Sequence, residues 1–271
     1  MQQTLNLFER EMVRHPLERR TLTVSVVRDI GPAMRRLTLV GPALAGFASD
    51  GPEDHVKAFF PEPGSPQQGD PASARTLMRD FTPSRYRPAS DGGELDIDVV
   101  LHGASAPASA WATTAAPGTT LSIGGPKGSR RPPRDIGSAL LVADATALPA
   151  LARWVRMLPS SVAVTAVVVS EGDELDPYLD EELPSSVAVH RVRGADPTTR
   201  DQALVEVVRG IPIATDTFVW AAGEATALIP VRRHFRRERG LPAQQVKVDG
   251  YWKRGVIALD HHAPLDETDP D

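Results

Sequence analysis

The spacing of apolar residues changes about half-way along the chain. Up to residue 123 they recur mostly at every second position, the period of strands with one buried face. Alternation predicts strands over 21–27 and 34–40, joined by a Gly31-Pro32 turn. Further strands are expected over 55–60, closed by Pro61, and over 78–85, 94–102 and 119–123. A short helix is expected over 107–115, with Ser105 a candidate cap. Residues 61–74 read as a polar Pro/Gly-rich loop. Six short strands separated by turn signals point to a small antiparallel barrel. Residues 1–18 carry Leu5, Phe8 and Met12 at helical spacing ahead of Pro16, which predicts a polar helix, a cover or a frayed end.

The segment 124–134 (Gly-Gly-Pro-Lys-Gly-Ser-Arg-Arg-Pro-Pro-Arg) breaks this pattern. Beyond it, short apolar runs at 139–143, 162–169, 187–192, 217–221 and 245–248 alternate with helical stretches at 147–158, 198–209 and 228–239. Strands separated by crossover helices form mostly parallel sheets. The expected fold class is therefore β plus α/β. An antiparallel β-barrel domain spans 1–131, a Rossmann-like α/β domain spans 132–259, and an acidic tail over 260–271 lacks the apolar periodicity to fold.

Composition narrows the chemistry. The 271 residues include no cysteine, which excludes disulfides, thiolate metal sites and thiol nucleophiles. Redox work must then come from a bound organic cofactor. The net charge of -5 argues against a nucleic-acid partner. The longest apolar run, 161–169, is too short to cross a membrane. The first twenty residues are charged throughout and lack a signal-like apolar region, so the expected location is the cytoplasm. His261-His262 lacks a third ordered ligand, and no metal site is expected.

The segment 79–85 (Arg-Asp-Phe-Thr-Pro-Ser-Arg) brings a cation, a flat ring and a hydroxyl together. Arg79 can hold a phosphate bidentately, Phe81 can stack on a heterocycle, and Thr82 can bond a ring nitrogen, a set that suits a dinucleotide. The same trio is found in the Arg-x-Tyr-Thr/Ser segment of flavin reductases; a plain barrel strand with an exposed arginine is the alternative. The run Val99-Val100-Leu101-His102-Gly103 leads into a helix whose free N–H groups can take an anion, and Ser109 lies in its first turn. His102 is open to two readings, a ligand contact or a strand-end histidine bonded to backbone.

In the second domain, Asp144 and Thr146 follow the first strand, where α/β sheets bind ligands, and can equally serve as helix caps. There is no Gly-x-Gly-x-x-Gly. Glu171, at the next strand end, either accepts from ribose hydroxyls and favours NADH over NADPH, or belongs to a solvated acidic loop. Residues 250–255 (Gly-Tyr-Trp-Lys-Arg-Gly) place two aromatics and two cations together, which suits packing or a large anionic aromatic ligand.

Taken in order, Arg79-x-Phe-Thr82, Val99-Val-Leu-His-Gly103, Pro107-Ala-Ser-x-Trp-Ala112, Gly125-Pro-x-Gly128, Asp144-x-Thr-Ala-Leu-Pro-Ala150, Trp220-x-Ala-Gly-Glu224 and Gly250-Tyr-Trp-Lys-Arg-Gly255 resemble the siderophore-interacting protein family. The likeness spans residues 20 to 255. These are FAD-binding ferric-siderophore reductases of the ferredoxin-reductase-like superfamily. The resemblance implies an FAD-binding barrel followed by a nicotinamide-binding-type domain. It implies that Arg79 and Asp80 border the FAD phosphates, that Phe81 stacks on the isoalloxazine and that Thr82 lies nearest N5. It implies that residues 99–103 with Ala108, Ser109 and Trp111 cradle the cofactor, with Thr146 and Ala147 at the second domain's first turn. Lys127, Arg130, Trp252, Lys253 and Arg254 are expected to face a ferric siderophore, with Lys253 as its anchor; Arg131 and Arg134 add to the same basic cluster. Electrons are expected from NADH, NADPH or a ferredoxin. The alternatives are a general flavin or electron-transfer reductase with another acceptor, and a siderophore-binding protein without catalysis. Two positions depart from the family pattern: Phe81 replaces Tyr, and Ala145 replaces Glu.

Overall fold

The computed structural model describes residues 7–61, 76–102, 106–257, 259, 264–266 and 268–269. Residues 12–131 make one compact unit, and the described residues on either side of them make another.

The first unit contains β1 (Met12–Arg14), β2 (Arg19–Ile30), β3 (Met34–Val40), β4 (Val56–Pro61), β5 (Thr76–Phe81), β6 (Pro83–Arg87), β7 (Glu94–Val100), α1 (Pro107–Thr114), β8 (Thr120–Gly124) and β9 (Gly128–Arg130). Seven strands form one antiparallel sheet in the order β5-β4-β8-β2-β3-β7-β6, and β1 pairs with β9. The alternation seen in the sequence supplies the core: Leu37 and Leu39 of β3 meet Leu95, Ile97 and Val99 of β7, and Val56, Ala58 and Phe60 line the β4 side.

The second unit contains β10 (Ser138–Asp144), α2 (Leu148–Met157), β11 (Ala163–Ser170), α3 (Asp176–Glu182), β12 (Ala188–Arg193), α4 (Pro197–Gly210), β13 (Thr217–Glu224), α5 (Ala225–Arg233) and β14 (Val246–Trp252). The five strands are parallel, in the order β12-β11-β10-β13-β14. Helices cover both faces of a parallel sheet, so its central strands are apolar throughout. Every residue of β13 is buried accordingly.

Four expectations change. Residues 7–11 are not helical, and Met12–Arg14 pairs with Gly128–Arg130. Strand addition satisfies the backbone of this polar segment, and His15 N–H continues it onto Lys127 O at 3.0 Å. Phe8 instead packs near Phe218, and the Arg10 guanidinium lies 4.9 Å from the Trp154 ring centre. The single strand expected over 78–85 is two strands, broken at Thr82. Helix α3, rich in acidic residues, was not anticipated. Lastly, the tail expected to be disordered has described residues with defined partners. Arg233 Nη2 donates to Asp266 Oδ2 at 2.5 Å, Arg232 Nη1 donates to Asp269 O at 2.8 Å, and Arg237 also pairs with Asp269. The arginine-rich run over 232–239 thus holds Asp266 and Asp269.

Candidate active site

The first unit's site grows from one topological fact. β5 and β6 are the opposite edges of the seven-stranded sheet, yet Thr82 alone separates them in sequence. The sheet therefore curls until its two edges meet at Thr82. Phe81 is in register with Val56 of β4, while Pro83 is in register with Ile97 of β7. Proline suits this place because the first residue of an edge strand can lack a donor.

Thr82 is 8% exposed, and its hydroxyl has no partner among the described residues. The hydroxyl oxygen itself stays accessible and can donate to or accept from a ligand. Phe81 is half-buried and meets Phe60 edge-on with ring centres 5.7 Å apart; Phe60 meets Trp111 of α1 in the same way at 5.4 Å. This chain of rings ties the motif to α1. Arg79 is half-buried, with Nη1 donating to Met78 O at 2.7 Å. Asp80, expected at the cofactor, is exposed and holds Lys57 Nζ at 2.9 Å.

At the end of β7, Leu101 N–H donates to Ala33 O at 2.7 Å, and Val100 and Leu101 are half-buried. His102 is exposed, and its ring has no partner among the described residues. Gly103, like Ser105, lies outside the described residues. Helix α1 starts at Pro107 with no side-chain cap among the described residues, so its first free N–H groups, at Ala108 and Ser109, can take an anion. The Ser109 hydroxyl is turned inward: the side chain is buried and accepts from His102 N–H at 3.2 Å. Val99 and Trp111 are core residues and Ala108 packs against that core. Their apolar side chains are drawn inward by burial.

Outside this motif, charges on β3, β6 and β7 are paired. Arg36 meets Asp98 through Nε and Nη2, and Arg87 meets Asp96, which also accepts from Thr38. Burial pushes the Asp96 carboxyl up, but the bonds from Arg87 and Thr38 outweigh it and hold it below the ordinary carboxylate range.

In the second unit the strand ends converge on Asp144. Its Oδ1 accepts from Thr146 N–H at 2.9 Å and from Thr146 Oγ1 at 2.6 Å. Its Oδ2 accepts from Glu224 N–H at 2.9 Å and from Trp252 Nε1 at 2.7 Å. Burial pushes this carboxyl above its ordinary value against the pull of those bonds. The sequence offered Asp144 at a ligand-binding turn or as a helix cap; the bond to Trp252 was not foreseen. Thr146 serves that cap and Ala147 is buried in the core, so neither side chain presents a free group. Ala145 is half-buried in the same turn. Glu171 is 75% exposed and lies 3.9 Å from Arg200, while the neighbouring N–H groups donate to Glu174, as in an acidic loop.

The cations divide into held and free. Arg254 Nη2 donates to Asp201 at 2.8 and 3.0 Å, and Arg254 N–H donates to Glu224 Oε1 at 3.1 Å. Arg131 reaches Asp50 at 3.5 Å and Arg134 reaches Glu11 at 2.7 Å, so these do not stand as loose positive charges. Arg130 is exposed and has a partner. Lys127 and Lys253 are exposed, and neither ammonium has one among the described residues. Trp252 keeps 38% of its surface exposed.

Thr82's open hydroxyl, the exposed part of the Phe81 ring, Arg79 and the uncapped start of α1 fit FAD. With a barrel of this kind and a five-stranded parallel sheet in one chain, they define an FAD-dependent oxidoreductase. Comparison with known proteins narrows the class. Residues 23–130 match the siderophore-interacting FAD-binding domain and residues 137–255 match the siderophore-interacting protein domain. The chain belongs to the siderophore-interacting protein family. It is 33% identical to the NADPH-dependent ferric-chelate reductase of Escherichia coli (strain K12), over 89% of this chain and 96% of that protein. It is 29% identical to ferric vibriobactin reductase ViuB of Vibrio cholerae, over 86% of this chain and 90% of that protein. The crystal structure of a siderophore utilization protein from T. fusca superposes with a TM-score of 0.80 at 37% identity, covering 94% of this chain and all of that one. Among the described residues, no helix is long and apolar enough to cross a membrane, and no group of three or more His, Cys, Asp or Glu could hold a metal ion.

Proposed function

We propose that this protein reduces a ferric siderophore to its ferrous form in the cytoplasm, releasing iron that the chelator holds far less tightly once reduced. The observation that carries the reading is the accessible, unpartnered Thr82 hydroxyl beside Phe81 and Arg79, in a family whose relatives include a ferric-chelate reductase and a ferric vibriobactin reductase. FAD, when bound, would supply the redox chemistry that links a nicotinamide or ferredoxin donor to one-electron reduction of Fe(III). Arg79 and the α1 N-terminus would hold its phosphates, Phe81 would stack on its ring, and the Thr82 hydroxyl would bond a ring atom. His102 closes the end of that cradle.

Lys253, with Trp252 beside it, anchors the siderophore through its negative or polar iron-binding arms, and Lys127 and Arg130 add positive charge. No acid–base role is assigned to Lys253. One-electron reduction of Fe(III) consumes an electron and transfers no proton at the metal, so proximity and charge are what the side chains must provide.

The test is an anaerobic titration of the flavin-loaded protein with NADH, NADPH or reduced ferredoxin, followed by a ferric siderophore and a ferrous-iron trap. Bleaching by one donor and recovery with Fe(II) appearing supports the reading and names the donor. A protein that takes up no flavin, or a reduced flavin that ferric siderophores do not reoxidise, overturns it.

A further inference from the structure

The bonds around Asp144 exceed what a helix cap needs. Capping accounts for Thr146; it does not account for Trp252, which reaches Asp144 from 108 positions away. An ionised carboxylate offers about four lone-pair sites, and Asp144 receives four donors, two on each oxygen. They come from the turn after β10, the end of β13 and the end of β14.

β14 does not neighbour β10, because β13 lies between them. Two local features let Asp144 reach across. The β13–β14 pairing shifts register so that Gly223 faces Gly250 but Glu224 faces Trp252, with Tyr251 as the extra residue. Such bulges re-aim side chains, and this one is followed directly by the indole that bonds Asp144. Gly223 adopts φ +146°, and a Cβ there would lie 2.6 Å from Asp144 Oδ2, so only glycine leaves room for the carboxylate.

Lys253 follows Trp252 directly. On its other side, Arg254 is held by Glu224 and Asp201. The free ammonium of Lys253 therefore projects from a backbone fixed on both flanks, at Trp252 by Asp144 and at Arg254 by Glu224. We propose that Asp144 is a positioning residue for substrate binding: by holding the Trp252 indole it fixes the backbone from which Lys253 meets the siderophore. The proposal rests on the reading of Lys253 given under Proposed function. A long lysine loses considerable freedom when it engages a ligand, and a fixed backbone leaves less to lose.

The test uses the full-length, FAD-loaded protein, pre-reduced so that the donor plays no part, and follows its reoxidation by a ferric siderophore over a range of concentrations. Asp144→Asn replaces one acceptor oxygen with a donor while keeping size. Its half-saturating siderophore concentration should rise about tenfold, the loss expected for a hydrogen bond to a charged group, with the larger share of the effect on affinity rather than on the limiting rate. Trp252→Phe should reproduce that rise, and the double variant should be no worse than either single one. In a Lys253→Ala background, Asp144→Asn should add little. The indole N–H resonance of Trp252, read by NMR without any substrate, should shift in Asp144→Asn.

An Asp144→Asn effect that persists at full size without Lys253 shows a merely structural role and overturns the proposal. So does an unmoved indole resonance. If Lys253→Ala itself leaves siderophore affinity unchanged in a protein that still reduces iron, the assignment of Lys253 fails and this proposal with it. If Lys253→Ala weakens affinity and Asp144→Asn does not, the positioning role alone fails.

Discussion

Arg36 and Asp98, 62 positions apart in sequence, face each other on adjacent strands in a two-pronged ion pair at 2.6 and 2.8 Å, with both side chains almost wholly enclosed. Arg36 also lies 3.5 Å from Ser84, two residues past Thr82. Taking one partner from an enclosed pair leaves a charge in a poor solvent, which costs about 3–5 kcal/mol. Arg36→Met should therefore lower the urea midpoint sharply, while Arg36→Met with Asp98→Leu should recover most of the loss. A single variant as stable as the parent would show that water reaches the pair.

Ser129 sits between His15 and Asp54. Its hydroxyl donates to Asp54 Oδ2 at 2.5 Å and accepts from Asp50 N–H at 2.9 Å. Its one proton is thus committed, so His15 Nε2, 2.7 Å away, must be the donor to Ser129. Neutral His15 should show the Nε2–H tautomer in 15N NMR; Nδ1–H would contradict this arrangement. Ser129→Ala removes a shared partner from three groups and should destabilise the protein by roughly 1–3 kcal/mol, measured by chemical unfolding.

Arg79→Ala should weaken FAD binding about tenfold or more if the guanidinium holds a phosphate, read by quenching of flavin fluorescence. Thr82→Val keeps the branched shape and deletes the hydroxyl. It should shift the bound flavin's absorption band and slow iron reduction more than it weakens FAD binding. Unchanged FAD affinity in Arg79→Ala would remove that arginine from the site.

Asp269 gives a prediction about acid. Bonds from Arg237 come first among the causes that pull its carboxyl down to about 2 from an ordinary 3.8. A carboxyl depressed in the folded state stabilises above its unfolded value, and that contribution fades as pH falls through the folded value. The hold of Asp269 on Arg232 and Arg237 should thus persist at pH 4 and be lost on approach to pH 2. Following the Asp269 side-chain carbonyl by 13C NMR tests this, and a midpoint near 3.8 would show that the ion pairs do not form in solution.

Period-two alternation made β3 legible to the residue: Leu37 and Leu39 join the apolar core, while Arg36 and Thr38, buried on the other face, bond Asp98 and Asp96. The parallel strands were equally visible as apolar runs. The break at Thr82 was not, since Arg-Asp-Phe-Thr-Pro-Ser-Arg alternates well enough to pass for one strand. What separates β5 from β6 is pairing with different partners, β4 and β7, and pairing over long separations leaves little local trace. The N-terminal segment misled for a related reason: its helical spacing is real, but β9 offers backbone partners that local pattern does not reveal. At the site, the motif 79–82 and the start of α1 could be found from residue chemistry. The link from Trp252 to Asp144 depends on a bulge and on Gly223, and neither is spelled by its own residues.

The one-residue join at Thr82 also fixes the length of this motif. Inserting or deleting a single residue there would rotate β6 by half a pleat. Tyr86, whose hydroxyl bonds Leu44 O at 3.0 Å and Gly92 O at 2.9 Å, would then exchange faces with Arg85 and Arg87. The seam where the barrel closes acts as a fixed-length gauge, and the loops elsewhere are left to absorb insertions.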